Sequence, residues 1–270
     1  MSMRVFIVKD YEELSVQAAQ IVAGQIYVKP NSVLGLATGS TPLFMYHHLI
    51  RIYKEYGLDF SEVTTFNLDE YVGLPEADKN SYHYYMDDNF FRHVNLDQKK
   101  IHLPDGMAAS VDAECLAYEK AIQDCGGIDL QVLGIGQNGH IGFNEPDEKF
   151  EAYTHEVKLK QDTIEANARF FADISEVPTR AISMGIKTIM QAKKVVLLAN
   201  GSNKAEAVYR AVCEGITPEI PASILQLHQD VIVIIEEGAA QYLKDRLTFQ
   251  QKEKILFFNK IHECSKIIAS

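Results

Sequence analysis

The chain has 270 residues, 47% of them hydrophobic and 23% charged, with a formal net charge of −11. That is globular composition, and the longest apolar runs, such as Val195–Ala199 and Val231–Ile235, fall far short of the roughly 20 residues a bilayer span needs. So acidic a chain is a poor partner for nucleic acid or an anionic membrane, although an anionic small molecule needs only a few well-placed cations. The opening stretch MSMRVFIVKDYEEL turns acidic before an apolar signal core can form, so no secretory signal is expected. Cys115, Cys125, Cys213 and Cys264 show neither CxxC pairing nor a metal-ligand rhythm, and a reduced, cytoplasmic setting is the expectation.

From the N-terminus, short β-branched runs alternate with longer amphipathic stretches. Arg4–Val8 reads as a strand and Tyr11–Gly24 as a helix, with Asp10 and Glu13 in capping-box spacing. Strand Val33–Ala37, helix Pro42–Tyr56 and strand Val63–Asn67 follow, then helices over Ser81–Phe91 and Asp112–Cys125 and a strand at Leu130–Gly134. The polar segment Lys149–Pro178 breaks this rhythm; it carries a predicted helix near Asp162–Phe171 and reads as a lid or as an extra packing helix. Strands Ala181–Met184, Val195–Leu198 and Val231–Ile235 then resume, with helices at Ile186–Gln191 and Lys204–Cys213.

Several of these strands are apolar throughout, as strands covered on both faces are. The alternation predicts an α/β fold with a mostly parallel sheet, helices on both faces and right-handed crossovers. No repeat, low-complexity tract or linker divides the chain. Residues 1–242 are expected to form one domain with 149–178 as its lid segment. Residues 243–270, Lys-rich with apolar clusters at Ile255–Phe258 and Ile267–Ile268, are expected to form a docking helix or an oligomer contact.

In a parallel sheet, ligands bind outside the carboxyl ends of the strands, so the loop after each strand matters most. Thr38-Gly39-Ser40-Thr41-Pro42 offers glycine, hydroxyls and a helix start, which suits an anion, or it is a plain capping turn. It is no Walker motif, because the lysine is missing. Leu68-Asp69-Glu70-Tyr71 places two carboxylates at a strand end, candidates for a general base or simply a solvated turn.

The loop GIGQNGHIGFNEP, Gly134 to Pro146, contains the spacing of a dinucleotide fingerprint, with Glu156 near the place of the ribose acid. That motif must open a helix, and here a further glycine and a proline stand where the helix would run. The glycines instead suit a tight loop presenting His140 and Glu145, an imidazole and a carboxylate able to move protons. Zinc would need a third ligand at a recognisable spacing, and none is found, so no metal and no cofactor is expected. His47, His48, His83 and His93 show no partner pattern. Asn200-Gly201-Ser202-Asn203-Lys204-Ala205 is a second anion-friendly helix start, and Arg169 on the lid helix is a further cation. Together they favour a phosphorylated ligand.

The segments LGLATGSTP, TTFNLDEYVGL, NSYHYYM, LGIGQNGHIGFNEP, ANARFF and GSNKA, in this order and spacing, resemble the glucosamine-6-phosphate deaminase family over about Arg4 to Leu243. The resemblance implies a single three-layer Rossmann-like domain that converts glucosamine 6-phosphate and water to fructose 6-phosphate and ammonia without a redox cofactor. It implies Asp69 as the base that moves a proton from C2 to C1, and His140 with Glu145 as the pair that assists ring opening. It implies Thr38, Gly39, Ser40, Thr41, Arg169 and Lys204 as the phosphate-binding set.

Many family members carry an acid where this chain has Asn138; an amide still bonds but adds no charge, so a pH–rate profile unlike that of acidic relatives is expected. The larger allosteric members bind an N-acetylated activator through basic residues after the histidine loop. Thr154-His155-Glu156-Val157-Lys158 lacks that pattern, which implies no activation by N-acetylglucosamine 6-phosphate, hyperbolic kinetics, and a monomer or small homo-oligomer. Two rivals share the fold: a 6-phosphogluconolactonase, which needs no C2 base, and a sugar-phosphate-sensing effector domain, which needs no proton-transfer pair.

Overall fold

Valine and isoleucine on both faces of a strand require a cover on each side, and the computed structural model, which describes residues 3–168, 171–246 and 256–258, supplies it. In chain order the elements are β1 (Arg4–Val8), α1 (Tyr11–Val28), β2 (Val33–Leu36), α2 (Leu43–Tyr56), β3 (Thr64–Asn67), β4 (Asp69–Tyr71) and α3 (Tyr82–Asn89). They continue with β5 (Ile101–His102), α4 (Val111–Asp124), β6 (Leu130–Gly134), β7 (His155–Lys158), α5 (Gln161–Asn167) and β8 (Arg180–Ser183). The last are α6 (Ile186–Met190), β9 (Lys194–Ala199), α7 (Ala205–Cys213), β10 (Val231–Glu236), α8 (Gln241–Arg246) and β11 (Leu256–Phe258).

The main sheet has eight strands in the order β11-β1-β10-β9-β6-β2-β3-β5, every pairing parallel. Side chains alternate across it. Val231, Val233 and Ile235 of β10 join a cluster with Tyr118 and Ile122 of α4, Ile189 of α6 and Val208 of α7. Ile232 and Ile234 face the other way, into a cluster with Leu14 and Val22 of α1, Met45 and Leu49 of α2 and Met86 of α3. The outcome is the expected three-layer α/β arrangement with helices on both faces of a parallel sheet.

Buried charge fixes the end of the sheet away from the ligand-binding edge. Asp129, just before β6, accepts from Val33 N at 2.8 Å, Lys29 Nζ at 2.6 Å and Lys193 Nζ at 2.8 Å. Glu119 of α4 is buried too, and takes the backbone N–H and hydroxyl of Thr154, each at 2.7 Å, with the Thr188 hydroxyl at 2.6 Å. Donors of this kind offset the desolvation of a buried carboxylate.

Two expectations need correction. The strand expected at Ala181–Met184 does not join the parallel sheet. As β8 it lies in a second, three-stranded antiparallel sheet of order β4-β8-β7, with Asp69 opposite Ser183 and His155 also opposite Ser183 from the other side. The reason is the excursion that precedes it: after β6 the chain builds β7 and α5 before returning beside Asp69, and Met184 N then bonds Leu68 O at 2.7 Å. The helix expected near Asp162–Phe171 runs instead over Gln161–Asn167.

Residues 155–158 are themselves a strand of the small sheet, and the described side chains around them complete its cluster. Val157, Leu159, Ile164 and Phe171 close over Tyr71, Phe143 and Ala181, and the Tyr71 and Phe143 rings lie 5.6 Å apart. Of the expected tail, α8 spans Gln241–Arg246, and Leu256–Phe258 adds an edge strand beside β1; residues 247–255 and 259–270, with Ile267–Ile268, lie outside the described residues.

Candidate active site

In the sheet order, β9, β6, β2 and β3 are consecutive neighbours, so their C-terminal loops lie side by side. These are the four loops singled out in the sequence.

The loop after β6 opens no helix. Gly139 and Gly142 have φ of +86° and +59°, in the left-handed region that glycine tolerates. Gly136 serves differently: a Cβ there would stand 2.3 Å from His140 Cε1 and 2.4 Å from its Nδ1, so the ring lies directly over this glycine. Glu156, the candidate ribose acid, is far along in β7 and pairs with Arg180 at 2.7 Å. The dinucleotide spacing is therefore a coincidence of glycines that shape a turn.

Glu145 is bonded at both carboxylate oxygens. Its side chain is 6% exposed. Oε2 accepts from Asn138 Nδ2 at 2.8 Å and lies 3.6 Å from His140 Nδ1; Oε1 accepts from the Thr163 hydroxyl. Burial alone would raise the Glu145 pKa; His140, Thr163 and Asn138 more than reverse this and hold it below the usual carboxylate value. Asn138 also accepts from His140 N at 3.1 Å, so the amide steadies both members of the pair. At 3.6 Å His140 Nδ1 is beyond hydrogen-bond reach of Glu145, and among the described residues it has no hydrogen-bond partner.

Asp69 comes to this loop through the small sheet. β4 pairs Asp69 with Ser183, whose hydroxyl accepts from Phe143 N at 3.0 Å, and Asn144 Nδ2 bonds Met184 O at 2.8 Å. The strand and the loop are thereby stitched edge to edge. A Cβ on Gly142 would meet Ser183 Oγ at 3.0 Å and Asp69 Oδ2 at 3.5 Å, so the loop backbone passes against the Asp69 carboxyl. Asp69 makes no side-chain hydrogen bond among the described residues. Burial, and then the neighbouring Glu70, push it up to about 8.

The two adjacent carboxylates thus divide their roles. Glu70 points the other way and accepts from the backbone N–H groups of Tyr71 (2.8 Å), Tyr82 (3.0 Å) and His83 (3.0 Å), and contacts His83 Nδ1 at 2.9 Å. It holds the start of α3. His83, which showed no partner pattern in sequence, has one here.

The Thr38–Thr41 loop has its carbonyl side occupied. Tyr46 OH bonds Ala37 O at 2.6 Å, Tyr85 OH bonds Gly39 O at 2.7 Å, and Tyr11 OH bonds Ser40 O. What remains for a ligand is N–H groups and hydroxyls. Thr41 Oγ1 bonds Asn200 Oδ1 at 2.8 Å, which joins this loop to the one after β9, across the end of β6. There Gly201 N and Gly238 N both bond the Glu236 carboxylate, at 3.0 and 2.8 Å, and Lys204 stands at the start of α7. Arg169 lies outside the described residues. Ser183, Asn144, His83 and Thr163 escaped the sequence reading. Only their place in three dimensions gives them meaning, although the helix-capping Ser81 marks where His83 begins. No three His, Cys, Asp or Glu side chains among the described residues converge as a metal site.

The family of glucosamine-6-phosphate isomerases and 6-phosphogluconolactonases matches residues 10–234. A glucosamine-6-phosphate deaminase of Clostridium acetobutylicum is 57% identical over 241 residues, covering 89% of this chain and 100% of that one. One of Clostridioides difficile is 55% identical over 244 residues, covering 90% and 98%. Among solved structures, a monomeric glucosamine-6-phosphate deaminase superposes with a TM-score of 0.87 at 48% identity, covering 88% of this chain and 99% of that one. A 6-phosphogluconolactonase of Thermotoga maritima reaches a TM-score of 0.69 at 15% identity, covering 87% and 99%, which is likeness of fold alone.

Proposed function

This chain belongs to the family of glucosamine-6-phosphate isomerases and 6-phosphogluconolactonases, and we infer that within it the chain is a glucosamine-6-phosphate deaminase. It converts glucosamine 6-phosphate and water to fructose 6-phosphate and ammonia. Relatives at 55 and 57% identity carry that activity in their names, whereas a lactonase stands at 15%.

The observation that carries the residue roles is the seating of the unbonded Asp69 carboxyl against Gly142 of the His140–Glu145 loop. The substrate is a closed ring, so a proton must first move between the ring oxygen and the C1 hydroxyl; His140, backed by Glu145 and Asn138, is placed for this. In the open chain the C2–H beside the C1 carbonyl is a weak acid. Asp69, raised to about 8, is a base strong enough to take that proton near neutral pH and deliver it to C1. The nitrogen lone pair moves into a C2=N bond as C1 takes the proton, water adds to C2, and the C2–N bond breaks to release ammonia and leave the ketone. A base this close to the proton-transfer pair is what a lactonase would have no use for.

The phosphate is assigned to the Thr38–Gly39–Ser40–Thr41 loop and the Lys204 helix start, joined by the Thr41–Asn200 bond, with Arg169 as the second cation. Held there, far from C1 and C2, it supplies binding energy that orients the reacting carbons. The segment 149–178, whose Val157, Leu159, Ile164 and Phe171 cluster with Phe143, is assigned as the lid. None of the described helices is long and apolar enough to cross a membrane, and the reading places a monomer or small oligomer in the cytoplasm. The test is ammonia release from glucosamine 6-phosphate by the purified chain, with Asp69→Asn as control. The variant should lose roughly 10²–10⁴-fold in kcat; an inactive wild type, or a fully active variant, overturns the assignment.

A further inference from the structure

α5 reaches the carboxylate of the proton-transfer loop through Thr163. Thr163 is buried, and its hydroxyl donates to Glu145 Oε1, while the neighbouring Lys160 ammonium bonds Pro146 O. Each oxygen of Glu145 therefore has its own donor: Thr163 from the segment over the site, and Asn138 from the loop itself. Of these two donors, only Thr163 comes from outside the loop.

We propose that Thr163 is a positioning residue for the reaction: its hydroxyl occupies Oε1, turns the carboxylate so that Oε2 faces His140 Nδ1, and keeps Glu145 ionised for the ring-opening proton transfer. The inference rests on the deaminase reading. A buried carboxylate that loses one of two donors is desolvated without compensation, so it holds a proton more readily and swings free about its last torsion. Among the described residues, the titratable group beside Glu145 is His140 on its own loop; the Lys160 ammonium is held on Pro146 O, and Asp69 lies across Gly142. None of them bonds Oε1, whose donor is the Thr163 hydroxyl.

Thr163→Val keeps the shape and removes the hydroxyl, and Thr163→Ser keeps the hydroxyl and removes the methyl. In Thr163→Val, kcat should fall about tenfold or more with KM changed far less. Thr163→Ser should restore kcat. Equal loss in the two variants, or a change confined to KM, would assign Thr163 to packing alone and overturn the proposal. A second measurement does not depend on turnover. The Glu145 carboxyl, followed by ¹³C NMR with Glu145→Gln as assignment, should titrate at higher pH in Thr163→Val than in wild type, and an unchanged titration refutes the positioning role. Absence of ammonia release from wild type would strike the deaminase reading separately.

Discussion

The Asp69 carboxyl, buried and beside Glu70, ionises near 8 in the fold and near its ordinary 3.8 when unfolded. A raised carboxylate favours the folded state fully below the unfolded value, and that contribution drains away as pH rises toward 8, by about 1.4 kcal/mol per pH unit. Asp69→Asn has no proton to lose. Its melting temperature should therefore pull ahead of wild type as pH climbs, by roughly 5 °C or more at pH 8, with a smaller gap at pH 5. Calorimetry at the two pH values checks this, and a gap independent of pH would contradict it. Asn138 allows a complementary test: Asn138→Asp removes the donor to Glu145 Oε2 and adds a like charge beside it. The acid limb of the rate profile should shift to higher pH, and an unchanged profile would count against any electrostatic role for the position. These residues were visible in the sequence because strand ends and glycine spacing frame them. The opposite orientations of Asp69 and Glu70 were not visible, since they depend on which backbone amides α3 happens to offer.

At the scale of elements, the loop after β6 was the most legible part of the molecule. Its glycines excluded a helix, and the structure adds that Gly136 is empty because the His140 imidazole lies where a Cβ would be. Gly136→Ala should therefore displace the ring by about 1 Å and lower kcat roughly 100-fold with the fold intact, since its backbone is not in the left-handed region. Kinetics beside a circular dichroism spectrum test it; wild-type kcat would show that the ring can move without loss. The small antiparallel sheet was illegible for a physical reason. β4 is three residues long, its sequence Asp-Glu-Tyr has no apolar alternation, and its partner Ser183 arrives only after the whole excursion through β7 and α5. Periodicity detects elements that bury one face of themselves. It does not detect a short strand that is ordered by a distant neighbour.

For the whole molecule, β7 bears on the expected absence of activation. Residues 155–158, which lack the basic pattern expected of an activator site, form an edge strand whose Val157 is buried in the small sheet's cluster and whose Glu156 pairs with Arg180. Hyperbolic rate curves are expected, unaltered by N-acetylglucosamine 6-phosphate, and sedimentation should show a monomer or small oligomer. A sigmoidal curve straightened by that compound would reject this. The parallel sheet was foreseen from alternation alone, but strand order was not, because nothing local tells β1 that it belongs beside β10. That placement has a consequence during synthesis. Arg4 pairs with Ile232, so the first strand to leave the ribosome waits for one of the last. At ordinary elongation speeds the interval is roughly 10 to 45 s. Through that time Val5, Phe6 and Val8 have no sheet to enter, and a transcript cut short before codon 231 yields a chain whose N-terminal strand can never be seated.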